Sequence, residues 1–178
     1  MPVQSRVSGR STVAGGVLLV LGLWGALVPF VGPSFGYGMG GVAAWTWTES
    51  HATLHLAPGV AAIVGAFFLL RGRGASQTVG ALLAMAGGIW FVIAPSLHPL
   101  WAGQGTTGMS GMGDSAASSA LSALGYHYGT GVLIAIVAAY TLGILGHARR
   151  APAGDVRGES RRPNRVGATD STLVGAQN

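Results

Sequence analysis

The sequence predicts an all-α membrane protein with four transmembrane helices, built as two tandem helical hairpins. Three observations lead to this fold class. Four stretches are mostly apolar and about 20 residues long, which is the length that an α-helix needs to cross a bilayer. The arginines lie outside these stretches and, in a four-span chain, all on one side. A short motif and its surroundings occur twice at matching spacing, so the chain consists of a repeated hairpin.

The composition also differs from that of a soluble domain. Charged residues make up 8% of the chain, against roughly 25% in soluble domains, and the mean hydropathy is +0.50. The absence of cysteine excludes disulfides, thiolate metal sites and a cysteine nucleophile. All ten basic residues are arginines and 31 residues are glycines, which indicates a GC-rich bacterial genome.

The basic charge is best explained by the membrane. The arginines stand beside apolar stretches or in the C-terminal tail, where they act as topology signals and contact lipid headgroups. We therefore expect the lipid bilayer as a partner, and no nucleic acid, despite a sequence pI of about 10.8.

The predicted spans cover residues 12–31, 51–70, 78–97 and 126–146. They divide the chain into a cytoplasmic N-terminus (1–11), a first two-helix repeat (12–74), a second two-helix repeat (75–147) and a disordered cytoplasmic tail (148–178). The arginines precede the first span, join the second to the third and follow the fourth. Under the positive-inside rule, both termini lie in the cytoplasm of a bacterial plasma membrane.

The first span carries the motif G-x-W-x4-P-x3-P, formed by Gly22, Trp24, Pro29 and Pro33. The prolines lie at its outer end, where they stop or kink the helix. Trp24 lies deeper and is expected to pack between helices. Arginines precede this apolar stretch, as in a signal peptide, but the motif recurs in the third span, so we expect the segment to be retained.

The second span must begin before Pro58, because too few residues would otherwise remain before Arg71 to cross the membrane. We expect Ser50 to cap the helix and Pro58 to kink it. This start places His51 and His55 one turn apart on one face.

The third and fourth spans repeat the first two. The motif recurs 66 residues later as Gly88, Trp90, Pro95 and Pro99. His55-x3-Gly59-Val60 recurs 72 residues later as His127-x3-Gly131-Val132, so the outer loop of the second copy is about six residues longer. Two hairpins of the same orientation predict a pseudo-two-fold axis along the membrane normal. Close helix approach is expected at six small residues, namely Gly15, Gly16, Gly65, Gly87, Gly88 and Gly143.

The repeated unit G-[LI]-W-x3-[VA]-P resembles the SPW-repeat family of small bacterial membrane proteins, in two degenerate copies over residues 14–146. Trp24 and Pro29 match the family motif in the first copy, and Trp90 and Pro95 match it in the second. The residue before each proline is valine or alanine in place of serine, and the residue after it is phenylalanine or serine in place of tryptophan. The resemblance implies two transmembrane helices per repeat and no particular biochemical activity.

Histidines gather on the outer side, at positions His51, His55, His98 and His127. His55 and His127 are repeat-equivalent and should approach the axis from opposite sides, so these two, together with His51, are the candidate metal ligands. The outer loops add Met39, Met109, Met112 and Asp114. Histidine with thioether suits copper, histidine with carboxylate suits zinc, and two facing histidines suit haem. The alternative is structural: each histidine bonds a carbonyl, caps a helix or lies among headgroups.

Nothing in the sequence indicates catalysis. It lacks a Ser-His-Asp arrangement, a P-loop and a dinucleotide-binding fingerprint. We expect a non-enzymatic structural or accessory membrane component without a cofactor, in a membrane-protein complex or a homo-oligomer. One alternative is an outward-facing metal- or haem-binding membrane protein that uses His55 and His127. The other is a small oligomeric transporter or channel, although no acidic or arginine side chain within the predicted spans marks an ion path.

Overall fold

The computed structural model describes residues 3–38, 43–101 and 121–150, with side chains from residue 9 onward. This part of the chain is helical and contains no strand. The four long helices are α1 (Val3–Val31), α2 (Ala57–Arg71), α3 (Ala75–Leu97) and α4 (Gly129–Arg150). A π-helical turn precedes α2 (π1, His51–Leu56) and another precedes α4 (π2, Leu124–Tyr128). Residues 148–150 of the predicted disordered tail (148–178) form the end of α4, and the rest of that tail lies outside the described residues, as do the loop residues Met39, Met109, Met112 and Asp114.

The four predicted spans are confirmed as helices long and apolar enough to cross a membrane. These helical segments are Gly9–Phe35, His51–Arg71, Ala75–Leu100 and Leu121–Arg150. The helix α1 begins at Val3, earlier than predicted, because helical structure continues beyond the apolar stretch into the polar N-terminal residues.

The helices pack in a closed ring, α1 on α2, α2 on α3, α3 on α4 and α4 on α1. Completely buried side chains fill the centre, including Leu18, Phe91 and Ile134. The outward faces carry large apolar side chains such as Val64 on α2 and Ile136 on α4. This apolar exterior is what a lipid environment requires.

Arginines and the outer histidines occupy opposite ends of the bundle. At the arginine end, defined by Arg10, Arg71, Arg73, Arg149 and Arg150, the side chain of Gln77 donates to Ser11 Oγ at 3.1 Å. The histidine end is formed by the end of α1, π1, the end of α3 and π2. These arginines, which the sequence predicts on one side of the membrane, therefore lie at one end of the bundle.

Proline marks both helix ends on the histidine side. The helices α1 and α3 continue for two residues past Pro29 and Pro95, which lie inside them. Each helix is then followed by a 3₁₀ turn that contains the second proline, Gly32–Phe35 with Pro33 and His98–Leu100 with Pro99. The second proline of the motif, and not the first, therefore accompanies the end of each α-helix.

Glycines bring the backbones together within each hairpin. A Cβ added to Gly88 would lie 2.8 Å from the carbonyl oxygen of Gly131, and one added to Gly22 would lie 3.1 Å from that of Gly59. These two pairs are repeat-equivalent. Of the glycines predicted at close contacts, Gly16 and Gly143 do not lie at one, since nothing described lies within 4 Å of an added Cβ. Gly15, Gly65 and Gly87 do meet a neighbouring helix, as Gly88 does.

The predicted cap of the second span is wrong by two residues. Ser50 has helical dihedral angles and its side chain makes no cap hydrogen bond. The Thr48 hydroxyl instead accepts a hydrogen bond from the backbone N–H of His51 at 3.1 Å. Thr48 therefore performs the capping role expected of Ser50.

Candidate functional site

The two π-helical turns are widened by one residue relative to an α-helix. In π1, the N–H of Ala57 donates to the carbonyl of Ala52, five residues earlier. The next bond in that register would run from residue 58 to Thr53, but Pro58 has no N–H. The carbonyl of Thr53 therefore needs a donor from elsewhere.

The second π turn has the same hydrogen-bond register, but the equivalent carbonyl receives a hydrogen bond from a side chain of its own helix. In π2, the N–H of Gly129 donates to the carbonyl of Leu124. The residue equivalent to Pro58 is Thr130, whose hydroxyl donates to the carbonyl of Gly125 at 2.7 Å. The carbonyl of Gly125 thus has a donor within its own helix.

The motif tryptophans bond these carbonyls across the two repeats. Trp90 Nε1 donates to the carbonyl of Thr53 at 2.9 Å, and Trp24 Nε1 donates to that of Gly125 at 3.1 Å. The two tryptophans are 66 residues apart and the two acceptors are 72 apart, the same spacings as in the sequence repeat. Each tryptophan therefore links its own hairpin to the π turn of the other hairpin.

The two repeat-equivalent histidines meet between these turns. The ring centroids of His55 and His127 are 4.4 Å apart, and the ring planes are inclined by 36°. The side chains are only 4% and 3% exposed. The sequence prediction that this pair approaches from opposite repeats agrees with the geometry.

A second repeat-equivalent pair lies against them. Gly25 and Phe91 occupy matching positions, and a Cβ added to Gly25 would lie 2.5 Å from Phe91 Cζ. Phe91 is fully buried, and its ring centroid lies 6.2 Å from that of His55. Because Gly25 has no side chain, the single ring of Phe91 occupies the space between the two hairpins next to the histidine pair.

Both members of the histidine pair bury a nitrogen without a partner. Nδ1 of His55 and Nδ1 of His127 are inaccessible to solvent and have no hydrogen-bond partner among the described residues. The two unpartnered atoms are unusual, because the large majority of buried polar side-chain atoms are hydrogen-bonded.

His51 lies beside the pair, and His98 lies apart from it. The ring centroid of His51 is 6.2 Å from that of His55, and its Nδ1 donates to the carbonyl of Thr46 at 2.8 Å. His98 packs edge-on against Trp101 and buries an Nε2 that has no partner in the described part of the chain. The outer histidines thus comprise one close pair, one neighbour and one separate side chain.

Sequence reasoning missed the tyrosine that borders the pair. Tyr126 packs its ring edge-on at 5.5 Å from that of His55, and its hydroxyl donates to the backbone carbonyl of Tyr37 at 2.7 Å. The hydroxyl of Tyr37 in turn donates to the carbonyl of Leu121 at 3.2 Å. The repeat could not indicate this contact, since the residue equivalent to Tyr126 in the first copy is Leu54.

The geometry limits the ligands that the histidines could hold. No group of three or more His, Cys, Asp or Glu side chains suited to a metal occurs among the described residues. The centroid separation of 4.4 Å is also too small for a haem iron held between the rings. Two metal–nitrogen bonds of about 2 Å each would by themselves span about 4 Å, and each centroid lies behind its nitrogen.

The fold and this site define a class: an all-helical protein with four helices able to span a membrane and a buried histidine pair near one end. Comparison with protein-family models, curated proteins and solved structures found no match for this chain. The resemblance of its motif to the SPW repeat remains a prediction.

Proposed function

We propose that this chain is a multi-pass protein of the bacterial plasma membrane, of SPW-repeat type, that acts as a non-enzymatic structural or accessory component. In this proposal, its two hairpins are related by a pseudo-two-fold axis along the membrane normal. The arginine end faces the cytoplasm together with both termini, following the positive-inside rule.

The reciprocal tryptophan bonds are the observation that carries the proposal. Trp90 bonds Thr53 and Trp24 bonds Gly125, so equivalent donors reach equivalent acceptors in exchanged repeats. An exchange of this kind is what a two-fold axis between the hairpins would produce. The repeated motif thus has a structural purpose, which is to hold two hairpins together.

The interior supports a structural role over transport by a single chain. Fully buried apolar side chains, among them Leu18, Leu69 and Ile134, lie along the centre of the described bundle. A polar solute would have to displace them to cross. The large apolar exterior suits lipid or another membrane helix.

Native mass spectrometry from mild detergent, together with flux assays in proteoliposomes, tests the proposed role. We expect particles that contain a fixed number of chains, alone or with a second protein in fixed ratio, and no solute flux. The matched control is the Trp24→Phe/Trp90→Phe variant, which lacks both tryptophan bonds between the hairpins of the chain and should unfold more readily than the wild type. Flux that the wild type supports and the control variant lacks would contradict the structural role.

The orientation is tested by cysteine labelling, which the cysteine-free sequence makes straightforward. Ser34→Cys places a thiol at the exposed histidine end, and Ala75→Cys places one at the exposed arginine end. A membrane-impermeant maleimide added to intact cells should label residue 34 at once and residue 75 only after the membrane is opened. The reverse pattern would place the arginine end outside.

A further inference from the structure

We propose that the arginine end carries a binding site for one anionic phospholipid, whose phosphate is held by Arg149 at the place where α4 meets α3. This inference goes beyond the structural role and concerns the kind of lipid that the protein selects. It rests on the part of the proposed function that puts the four helices in a bilayer, and it holds whichever side of the membrane the arginine end faces.

The first step is the charge of the arginine end, which the chain cannot neutralise by itself. The five arginines that define this end are all exposed, and the described part of the chain has no aspartate or glutamate there. In a four-span chain, all ten arginines but only three carboxylates, Asp155, Glu159 and Asp170, lie on this side. Even if each carboxylate paired with one arginine, seven of the ten arginines would keep an uncompensated charge. An anionic lipid surface is therefore the partner that this end fits.

The second step is the position of one guanidinium. Arg149 Nη2 donates to Thr78 Oγ1 at 2.9 Å, which ties the last turn of α4 to the first turn of α3. The threonine hydroxyl is neutral, so the contact leaves the charge of the arginine uncompensated. The remaining N–H groups of the guanidinium stay free to donate to a ligand. Arg149 is thus held in place and still has donors to offer.

The third step is the ligand that a guanidinium held in this way recognises. The planar group can donate two parallel hydrogen bonds to two oxygens of one phosphate, which the ammonium of lysine cannot do. A bilayer presents phosphate groups at the level where membrane-spanning helices end. The choline of phosphatidylcholine neutralises its own phosphate, whereas phosphatidylglycerol keeps a net negative charge. Only the second kind of lipid compensates the charge of this end.

The fourth step is the surface available to the acyl chains. Leu82 lies one turn deeper than Thr78 on the same face of α3, and its side chain is 47% exposed. On α4, Gly146 lies one turn deeper than Arg149, and nothing described lies within 4 Å of an added Cβ. An acyl chain can therefore lie along an apolar, uncrowded surface directly below the phosphate.

Native mass spectrometry of the full-length protein tests the site, with the protein released from nanodiscs that contain phosphatidylglycerol and phosphatidylcholine in equal amounts. We expect each wild-type chain to retain one phosphatidylglycerol, with a preference over phosphatidylcholine of about tenfold or more. Arg149→Gln should lose this preference. The matched control is Arg150→Gln, which removes the same charge from the adjacent exposed position. It should weaken retention by no more than about fivefold, the contribution of one arginine at an anionic surface.

Thermal unfolding in a neutral detergent gives a second readout that needs no variant. Phosphatidylglycerol should raise the unfolding temperature of the wild type, and high salt should reduce this effect. Free glycerol phosphate, which has the headgroup without the acyl chains, should not stabilise the protein. If Arg149 served only the C-terminal end of α4, its replacement would lower the stability equally with either lipid.

Three results would each overturn the proposal: equal retention of both lipids by the wild type, equal losses in Arg149→Gln and Arg150→Gln, or equal stabilisation by free glycerol phosphate. None of these results bears on whether the helices span a membrane. That part of the proposed function fails only if the protein can be extracted from membranes without detergent, so the two failures are distinguishable.

Discussion

At the scale of single residues, the histidine end shows how one missing donor is supplied from a distant part of the chain. Pro58 cannot donate to the carbonyl of Thr53, and the indole of Trp90 takes its place. In the second repeat, Thr130 already donates to Gly125, so Trp24 adds a second hydrogen bond to that carbonyl. The two tryptophans occupy equivalent positions in the repeats, but the carbonyl bonded by Trp24 also has a donor in its own helix and the carbonyl bonded by Trp90 does not.

Because the two carbonyls differ in their other donors, we expect replacement of tryptophan by phenylalanine to lower the free energy of unfolding by different amounts at the two positions. Trp90→Phe leaves the carbonyl of Thr53 without a donor and should lower the free energy of unfolding by about 1–3 kcal/mol. Trp24→Phe removes one of two donors and should cost about 0.5–1.5 kcal/mol. Equilibrium unfolding in mixed detergent micelles measures both values. Equal costs, or a larger cost for Trp24→Phe, would contradict this account of the carbonyls.

At the scale of elements, the π turns and the tryptophans should be energetically coupled. Pro58→Ala supplies an N–H to the first turn, so Trp90→Phe should cost about 1 kcal/mol less in that background. Thr130→Val removes the hydroxyl donor of the second turn and keeps the backbone N–H of residue 130, so Trp24→Phe should cost more there, by up to about 1 kcal/mol. Two double-mutant cycles measure these couplings. We expect the two coupling energies to have opposite signs, and couplings of the same sign would contradict these roles of Pro58 and Thr130.

The glycine contacts predict an order of destabilisation within the hairpins. A methyl group at Gly88 would lie 2.7 Å from the backbone nitrogen of Ala135, which cannot move aside without shifting α4. Gly88→Ala should therefore cost about 1–3 kcal/mol, as overpacking commonly does. Gly22→Ala should cost less, because its nearest contacts are 3.0–3.1 Å and include the flexible side chain of Ile63.

Gly143→Ala is the control for this series. Nothing described lies within 4 Å of the added methyl group, and alanine is favoured over glycine inside a helix by about 0.5–1 kcal/mol. This variant should be as stable as the wild type or slightly more stable. Thermal unfolding of the three variants in one detergent gives the order, and a Gly143→Ala variant less stable than Gly88→Ala would reverse it.

The positions of the four membrane-spanning helices could be predicted from the sequence, and the features that could not be predicted have a physical explanation. Hydropathy located the four spans, and the repeat singled out His55 and His127, whose rings do lie close together. The π turns were not predicted, because the widened register depends on donors such as Trp90 that lie far away in the chain. The position of Tyr126 was missed for a similar reason, since its partner Tyr37 is 89 residues distant.

At the scale of the whole molecule, the fold is an assembly of two units joined by a short connection at the arginine end. Only residues Gly72–Gly74 separate α2 from α3. The contacts between units include the packing of α2 on α3 and of α4 on α1, the two tryptophan bonds, and side-chain bonds such as that of Tyr126 to the carbonyl of Tyr37. None of these contacts requires the connection itself to be intact.

Cutting the connection should therefore leave a protein that reassembles. Residues 1–74 and 75–178, expressed together as separate chains, should co-purify in equal amounts from detergent, because each half contains two complete spans. Introducing Trp24→Phe and Trp90→Phe into these halves should weaken their association by roughly tenfold or more, since each 1.4 kcal/mol lost is a factor of ten. Gly143→Ala in the second half is the control and should not change the recovery. Halves that insert into the membrane and yet fail to associate would show that the hairpins depend on their covalent link. Association that is equally strong with and without the two tryptophans would show that their bonds do not hold the repeats together.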